Sequence, residues 1–197
     1  MAASAHETTL GLDHRKLAMW AFLGSEFLFF GGFVAAYLLY LERTAGGPGV
    51  EIFDIPFTSI SSFVLLMSSL TMVLAHNAHR HGDMRRMRMW ILATAGQGSV
   101  FLGGQVFEFT VFVKEGLVFT ESPFASAFYT LTGFHGLHVF VGILLLMSLY
   151  TLTLTGKVKP SQPLKTEMIG LYWHFVDIIW VVIFTVVYLI PDLVLLG

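Results

Sequence analysis

The stretch FASAFYTLTGFHGLHVFVGILLLMSLYTLTL, residues 124–154, contains no Asp, Glu, Lys or Arg. A helix of about 20 apolar residues crosses the hydrocarbon core of a bilayer, so this stretch predicts a transmembrane helix. Four further apolar runs are long enough for the same interpretation. The predicted fold class is therefore all-α: one polytopic membrane domain over residues 1–197, built as a five-helix bundle. The predicted spans are residues 17–41, 57–75, 90–113, 124–154 and 170–195.

The composition also indicates a membrane protein. The hydrophobic fraction is 55% and the mean hydropathy +0.74, whereas only 12% of the residues are charged. Soluble domains contain about 25% charged residues. The net charge of −2 argues against nucleic acid as a partner, because that requires a clustered basic face. The chain has no cysteine, which excludes disulfides, iron–sulfur ligation, cysteine-bridged copper and c-type haem attachment.

Basic residues are concentrated in the loops on one side of the predicted bundle. The positive-inside rule therefore predicts a cytoplasmic N-terminus and an external C-terminus. The basic residues on the predicted cytoplasmic side are Arg15, Lys16, Arg80, Arg85, Arg86, Arg88, Lys157, Lys159 and Lys165. The charged residues on the other side are Arg43, Lys114, Glu42, Glu51, Asp54, Glu115, Glu121 and Asp192.

Three acidic residues lie inside the predicted spans, Glu26, Glu108 and Asp177, and each needs an explanation because a charged side chain inside a membrane is costly. Glu26 lies near the middle of the first span among phenylalanines, and burial away from water disfavours an ionised carboxyl. One interpretation is a proton-exchangeable or lipid-contacting group, and the other is a neutral acid hydrogen-bonded to a second helix. Glu108 is expected nearer the outer interface, in contact with more water.

Two pairs of polar residues are spaced three apart in the last two spans, namely His135 with His138 and His174 with Asp177. Residues at this spacing share a helix face. Two such pairs on two helices could in principle supply metal ligands. Mutual hydrogen bonding across the bundle is the favoured interpretation, so no metal, other cofactor or catalytic residue is assigned to this chain.

Three further patterns predict surface and packing features. Histidines near the second loop are expected to be solvated or at the headgroup level, and aromatic residues near the cytoplasmic ends are expected to form an interfacial belt. Small residues spaced four apart in the third span predict close packing of a neighbouring helix. The histidines are His76, His79 and His81; the aromatic residues are Trp20, Trp90, Trp173 and Tyr172; the small residues are Ala95, Ser99 and Gly103.

Several motifs resemble those of one membrane-protein family. Residues 132–139, TGFHGLHV, and residues 172–180, YWHFVDIIW, closely resemble signatures of subunit III of cytochrome c oxidase. Residues 25–30, SEFLFF, look like the intramembrane glutamate helix of that family. Weaker family patterns are matched in the same order by residues 75–78, AHNA, and 105–108, QVFE. The resemblance extends over about residues 13–191.

This resemblance implies an accessory, non-redox subunit of a haem–copper cytochrome c oxidase in a bacterial plasma membrane. It would bind oxidase subunits I and II and membrane phospholipid, support proton uptake and stability of subunit I, and meet cytochrome c only through the complex. The haems and copper would belong to partner subunits. The commoner family form has seven helices, and this chain resembles the last five. We therefore expect additional helices of subunit I in place of the missing pair.

Three alternatives remain open from the sequence. The same subunit could belong to a quinol oxidase, or the chain could be the related accessory subunit of a nitric oxide reductase. A stand-alone proton-coupled transporter would use Glu26 and the histidines as a relay. Transporters of that kind contain inverted repeats or helices broken at mid-membrane, and the sequence has neither pattern. The motifs around His138 and His174 favour the oxidase.

Overall fold

The computed structural model describes residues 13–191, and five long helices make up most of that range. No β-strand forms within these residues, which confirms the all-α fold class. A short 3₁₀ turn, Val50–Ile52, precedes the second helix, and a π-helical turn, Thr185–Leu189, continues the fifth. The helices are α1, His14–Tyr40; α2, Ile55–Arg80; α3, Met84–Lys114; α4, Pro123–Leu154; and α5, Leu164–Phe184.

Each predicted span falls on one of these helices, and the helices extend beyond the spans at one or both ends. The end of the predicted span 170–195, together with Asp192, lies outside the described residues. Four helices, α1, α2, α4 and the α5 helix with its π-helical turn, are long and apolar enough to cross a membrane. Helix α3 is comparable in length but less apolar, because polar and glycine residues interrupt its hydrophobic sequence.

Side-chain caps fix where four of the helices begin. Asp13 accepts a hydrogen bond from the Arg15 backbone N–H at 2.8 Å, and Asp54 and Asp83 make the equivalent contacts at the starts of α2 and α3. Ser122 caps α4 by accepting from the Ala125 N–H at 3.0 Å. Such caps satisfy backbone donors that have no partner within the helix.

The core of the bundle is centred on Trp173 of α5, which is only 1% exposed. Its indole lies against Gly98 of α3 and Gly142 of α4, and its Nε1–H donates to Ser68 Oγ of α2 at 2.9 Å. Tyr172 is also buried, at 4% exposure. The expectation that both residues belong to an interfacial belt is therefore wrong, because they face the other helices. Trp20, at 60% exposure, does lie on the surface.

The close approaches between helices do not follow the predicted small-residue stripe. Ala95 is buried, but Ser99 and Gly103 are exposed, and a Cβ added at Gly103 meets nothing within 4 Å. A Cβ at Gly98 or Gly142 would instead meet the Trp173 ring at 2.5 Å or 2.8 Å. The close contacts therefore lie at Gly98 of α3 and Gly142 of α4, where both helices meet the Trp173 ring of α5.

Helix α1 lies at the edge of the bundle. It packs against α4 and α5, where Phe29 and Phe33 contact Phe134 with ring centroids 5.5 Å and 5.1 Å apart. Only 17% of its most apolar window is buried, compared with 50% for α5. Most of the α1 surface is therefore free to contact lipid or another protein.

Candidate functional site: the intramembrane polar groups

Glu26 of α1 and His138 of α4 form a pair across the helix contact. Glu26 Oε2 lies 3.4 Å from His138 Nε2, and the two side chains are 20% and 15% exposed. Phe30 covers one side of the histidine, with ring centroids 5.0 Å apart. The pair joins two helices that are otherwise held mainly by aromatic contacts.

The hydrogen bonding of His138 determines how this pair holds a proton. His138 Nδ1–H donates to the Phe134 carbonyl at 2.7 Å. Only Nε2 is then available to Glu26, and it either accepts from a protonated carboxyl or, as imidazolium, donates to a carboxylate. In both arrangements one proton lies between the facing atoms, so the contact can hold a proton without a net charge.

An apolar groove of 610 Å³ runs beside this pair, between α1, α4 and α5. Its walls include Phe22, Leu145 and Met168, and His138 lies on one side. Lys165, near the start of α5, lines the same groove. The groove combines apolar walls with a basic group at the end of the bundle, an arrangement that suits an acyl chain with an anionic headgroup.

His135 does not act together with His138, although the two residues are three positions apart. It is fully buried, and its Nε2–H donates to the Val176 carbonyl at 3.1 Å. Its ring packs against Trp180 and Phe101, with centroids 4.9 Å and 5.8 Å away. His135 therefore links α4 to α5 within the core, and its Nδ1 has no partner among the described residues.

His174 and Asp177 of α5 are brought together by Ser69 of α2. The Ser69 hydroxyl donates to Asp177 Oδ2 at 2.5 Å. Because a hydroxyl carries only one proton, Ser69 Oγ acts as acceptor for His174 Nδ1–H at 3.1 Å. The two residues are thus joined through a second helix, in agreement with the predicted hydrogen bonding across the bundle.

Glu108 is enclosed within the chain, which contradicts the expectation that it contacts more water. It is only 6% exposed, and Oε1 is hydrogen-bonded to the Thr58 hydroxyl. Thr58 stands in the first turn of α2, opposite the last turns of α3. Glu108 lies near a helix end as expected, but packing between α2 and α3 excludes water there.

The histidines assigned to the second loop also need correction. His76 and His79 belong to the last turns of α2, and His79 is completely buried. His79 Nε2–H donates to the Lys159 carbonyl at 3.0 Å, and Nδ1 lies 2.6 Å from the Thr166 hydroxyl. His79 therefore fixes the loop before α5, whereas His81 is exposed as expected.

The partners of these polar groups were not predicted from the sequence. Ser69 and Thr58 look like ordinary small residues of a transmembrane helix, and only the pairing of α2 with α3 and α5 gives them a role. One sequence signal does exist, since α2 carries an unusual number of Ser and Thr residues for an apolar helix. Across residues 13–191, no group of three or more His, Asp or Glu side chains is arranged to hold a metal ion.

Comparisons with known proteins give a consistent result. The family model for cytochrome c oxidase subunit III matches residues 3–191. The chain is 41% identical over 189 residues to cytochrome c oxidase subunit 3 of Bacillus sp. (strain PS3), covering 95% of this chain and 91% of that protein. It is 34% identical over 199 residues to cytochrome bo(3) ubiquinol oxidase subunit 3 of Pseudomonas aeruginosa, covering 97% and 95%. It is also 36% identical over 175 residues to quinol oxidase subunit 3 of Bacillus subtilis, covering 88% and 85%.

Proposed function

Because this chain belongs to the cytochrome c oxidase subunit III family, we propose that it serves as the accessory, non-redox subunit of a bacterial haem–copper oxidase. In this proposal the chain lies in the plasma membrane beside subunits I and II, and those subunits hold the haems and copper. The match over nearly the whole chain carries this proposal. Oxygen reduction to water and proton pumping then belong to the complex, and no catalytic centre is assigned to this subunit.

Cytochrome c is the proposed electron donor, reached only through the complex. The relative with 41% identity is a cytochrome c oxidase subunit, and the two quinol oxidase subunits described above are 34% and 36% identical. A quinol oxidase is the second candidate because these relatives match over most of their length. Purification of the native complex, followed by oxygen-consumption assays with reduced cytochrome c and with a quinol, decides between them. Activity with quinol alone would contradict the proposed donor.

Five membrane crossings are proposed, with the N-terminus in the cytoplasm and the C-terminus outside. Helix α3 has 31 residues and is therefore about 46 Å long, enough to cross a bilayer. It packs against α2 and α4, and both neighbours are apolar enough to span. Its glycines and polar residues lower its hydropathy, but contact with protein on two sides reduces its exposure to lipid.

The absence of cysteine from the chain makes a direct test of this topology possible. Single cysteines are introduced at Gly82, between α2 and α3, and at Glu121, between α3 and α4, and are labelled with a membrane-impermeant thiol reagent. Intact cells should protect the cysteine at Gly82 and label the cysteine at Glu121. Equal labelling of both positions would contradict a crossing by α3.

Glu26 and His138 are proposed as the groups through which this subunit supports proton uptake or binds phospholipid. Three observations support this role: the two side chains face each other at 3.4 Å, both are partly exposed, and they border an apolar groove. His135 and Glu108 are proposed to stabilise helix contacts, because each is buried and bonded to a neighbouring helix. His174 and Asp177 form a separate polar group.

A further inference from the structure

The contact between α2 and α5 contains buried polar atoms that helix packing does not explain. Asp177 is 6% exposed, yet its Oδ1 has no hydrogen-bond partner among the described residues. The same is true of the buried Nδ1 of His76 on α2. Buried polar atoms without partners are rare in proteins, and each calls for an explanation such as an ordered water or an exchanging proton.

These polar residues lie at successive depths along the two helices. The rise of 1.5 Å per residue places His76 about 6 Å from the end of α2 at Arg80. The same rise places His174 about 15 Å and Asp177 about 20 Å from the start of α5 at Leu164. They therefore form a line that leads from one end of the bundle towards the middle of the membrane.

A cavity of 150 Å³ connects the outer part of this line. His76 and His174 both line it, and so does Glu167, whose carboxylate forms an ion pair with Lys16 at 2.6 Å. A water molecule takes up about 30 Å³ in the liquid, so this half-open cavity, whose walls are mostly apolar, has room for water in contact with His76 and His174. Glu167, Arg80, His79 and Lys16 are the charged and titratable groups around His76.

Building on the proposed role in proton uptake, we propose that the α2–α5 contact is a proton-exchange path, which takes up a proton at His76, passes it through His174 to Asp177, and returns it by the same route. Ser69 connects the last two residues, since it accepts from His174 Nδ1–H and donates to Asp177 Oδ2. The path opens at the end of the bundle where α1 and α5 begin. It is separate from the Glu26–His138 pair, because it uses α2 and α5 instead of α1 and α4.

The transfer balances for one proton. Protonated His76 gives a proton to a water in the cavity as that water gives a proton to His174 Nε2, so the water is unchanged and His76 ends neutral. The Nδ1–H bond of His174 breaks as a new bond forms to Ser69 Oγ, and the original Ser69 O–H bond breaks as the proton moves to Asp177 Oδ2. His174 and Ser69 end neutral, and the Asp177 carboxylate becomes a carboxylic acid. Reversal of the same steps returns the proton.

The test follows the carboxyl group of Asp177 by infrared spectroscopy of the assembled oxidase complex. The C=O band of the protonated carboxyl is identified by its loss in Asp177→Asn and by its shift in Ser69→Ala, which removes the hydrogen bond. The complex is then transferred from H₂O to D₂O, and the exchange of this band is timed. We expect exchange in the parent complex and exchange at least tenfold slower in His76→Leu.

His81→Leu is the matched control, because His81 is an exposed histidine at the same end of α2. It should exchange at the parent rate. Equal rates in the parent and His76→Leu would overturn the proposal, and so would the lack of a protonated Asp177 band at every pH at which the complex is stable. The measurement requires no oxidase activity, so its failure is distinguishable from failure of the proposed electron donor or accessory role.

Discussion

The ring of Trp173 occupies the space that a side chain at Gly98 would need, since a Cβ built on Gly98 falls 2.5 Å from the ring atom Cη2. Trp173 also donates to Ser68 and contacts Gly142. Helices α2, α3 and α4 therefore all contact α5 at the side chain of Trp173. The two glycines permit this contact because they leave room for the indole.

Replacement of Gly98 by alanine should destabilise the bundle. The added methyl group forces Trp173 out of its packed position, and overpacking of this kind typically costs about 1–3 kcal/mol. The measurement is the temperature at which the subunit dissociates from the purified complex, with Gly103→Ala as control because nothing lies within 4 Å of that position. Equal dissociation temperatures for the two variants would contradict the packing described for Trp173.

Replacement of Glu26 by glutamine should leave assembly and haem spectra unchanged but shorten the working life of the oxidase. The amide keeps the shape and hydrogen bonding of the carboxyl but carries no exchangeable acid. Oxygen consumption should start near the parent rate and decline faster with successive turnovers. Immediate and complete loss of activity in a fully assembled complex would refute the accessory role. A time course like that of the parent would show that Glu26 contributes only to packing.

Glu26 and His138 should behave as one unit. Because Nε2 of His138 lies 3.4 Å from the Glu26 carboxyl, removal of either partner ends the sharing of the proton. His138→Gln should therefore reproduce the accelerated decline of Glu26→Gln, and the double variant should be no worse than either single variant. Additive defects in the rate of decline would show that the two side chains act independently.

A hydrophobic carbodiimide should label Glu26 in preference to Glu108. Such a reagent has to reach the carboxyl group from the lipid, and Glu26 is 20% exposed beside the apolar groove, whereas Glu108 is 6% exposed and bonded to Thr58. Peptide mass spectrometry locates the label. Predominant labelling of Glu108 would contradict this assignment.

Additional helices of subunit I should pack against the exposed side of α1. Among the four helices that are apolar enough to span a membrane, α1 is the least buried in its apolar window. It is also the first of the helices that resemble the last five of the seven-helix form. Leu28, which is 76% exposed, should form a cross-link to subunit I when replaced by cysteine and treated with a short bifunctional thiol–amine or photoreactive reagent. A structure of the complex with only lipid along α1 would show that the prediction is wrong.

The sequence predicted the helices better than it predicted their contacts. Long uncharged runs identify transmembrane helices, because the hydrocarbon core requires apolar side chains and a backbone whose hydrogen bonds are all made within the helix. Which face of a helix meets another depends on the shapes of both partners. The predicted close packing at Gly103 and the predicted interfacial position of Trp173 are therefore wrong, although both residues lie on the predicted helices.

In the candidate site, too, the sequence predicts which helix each residue lies on better than it predicts what the residue contacts. The positions of Glu26, His138, His174 and Asp177 inside helices follow from the sequence, because a polar group within an apolar run is conspicuous. Their hydrogen-bond partners do not follow from the sequence. Nothing distinguishes Ser69 from the other small residues of α2 until the structure shows α2 packed against α5. Spacing along one helix was also misleading for His135, which is buried against Trp180 while His138 faces α1.

The short distance between Glu26 and His138 has an electrical consequence. A proton that moves between their facing atoms travels no more than 3.4 Å, a small part of the roughly 30 Å hydrocarbon thickness. Moving one charge across the whole membrane against 100 mV requires about 2.3 kcal/mol, so this step involves at most about 0.3 kcal/mol, less than thermal energy. The transmembrane voltage of a respiring cell therefore has little influence on which partner holds the proton. That choice depends on the chemical surroundings of the pair, including the molecules that occupy the neighbouring groove.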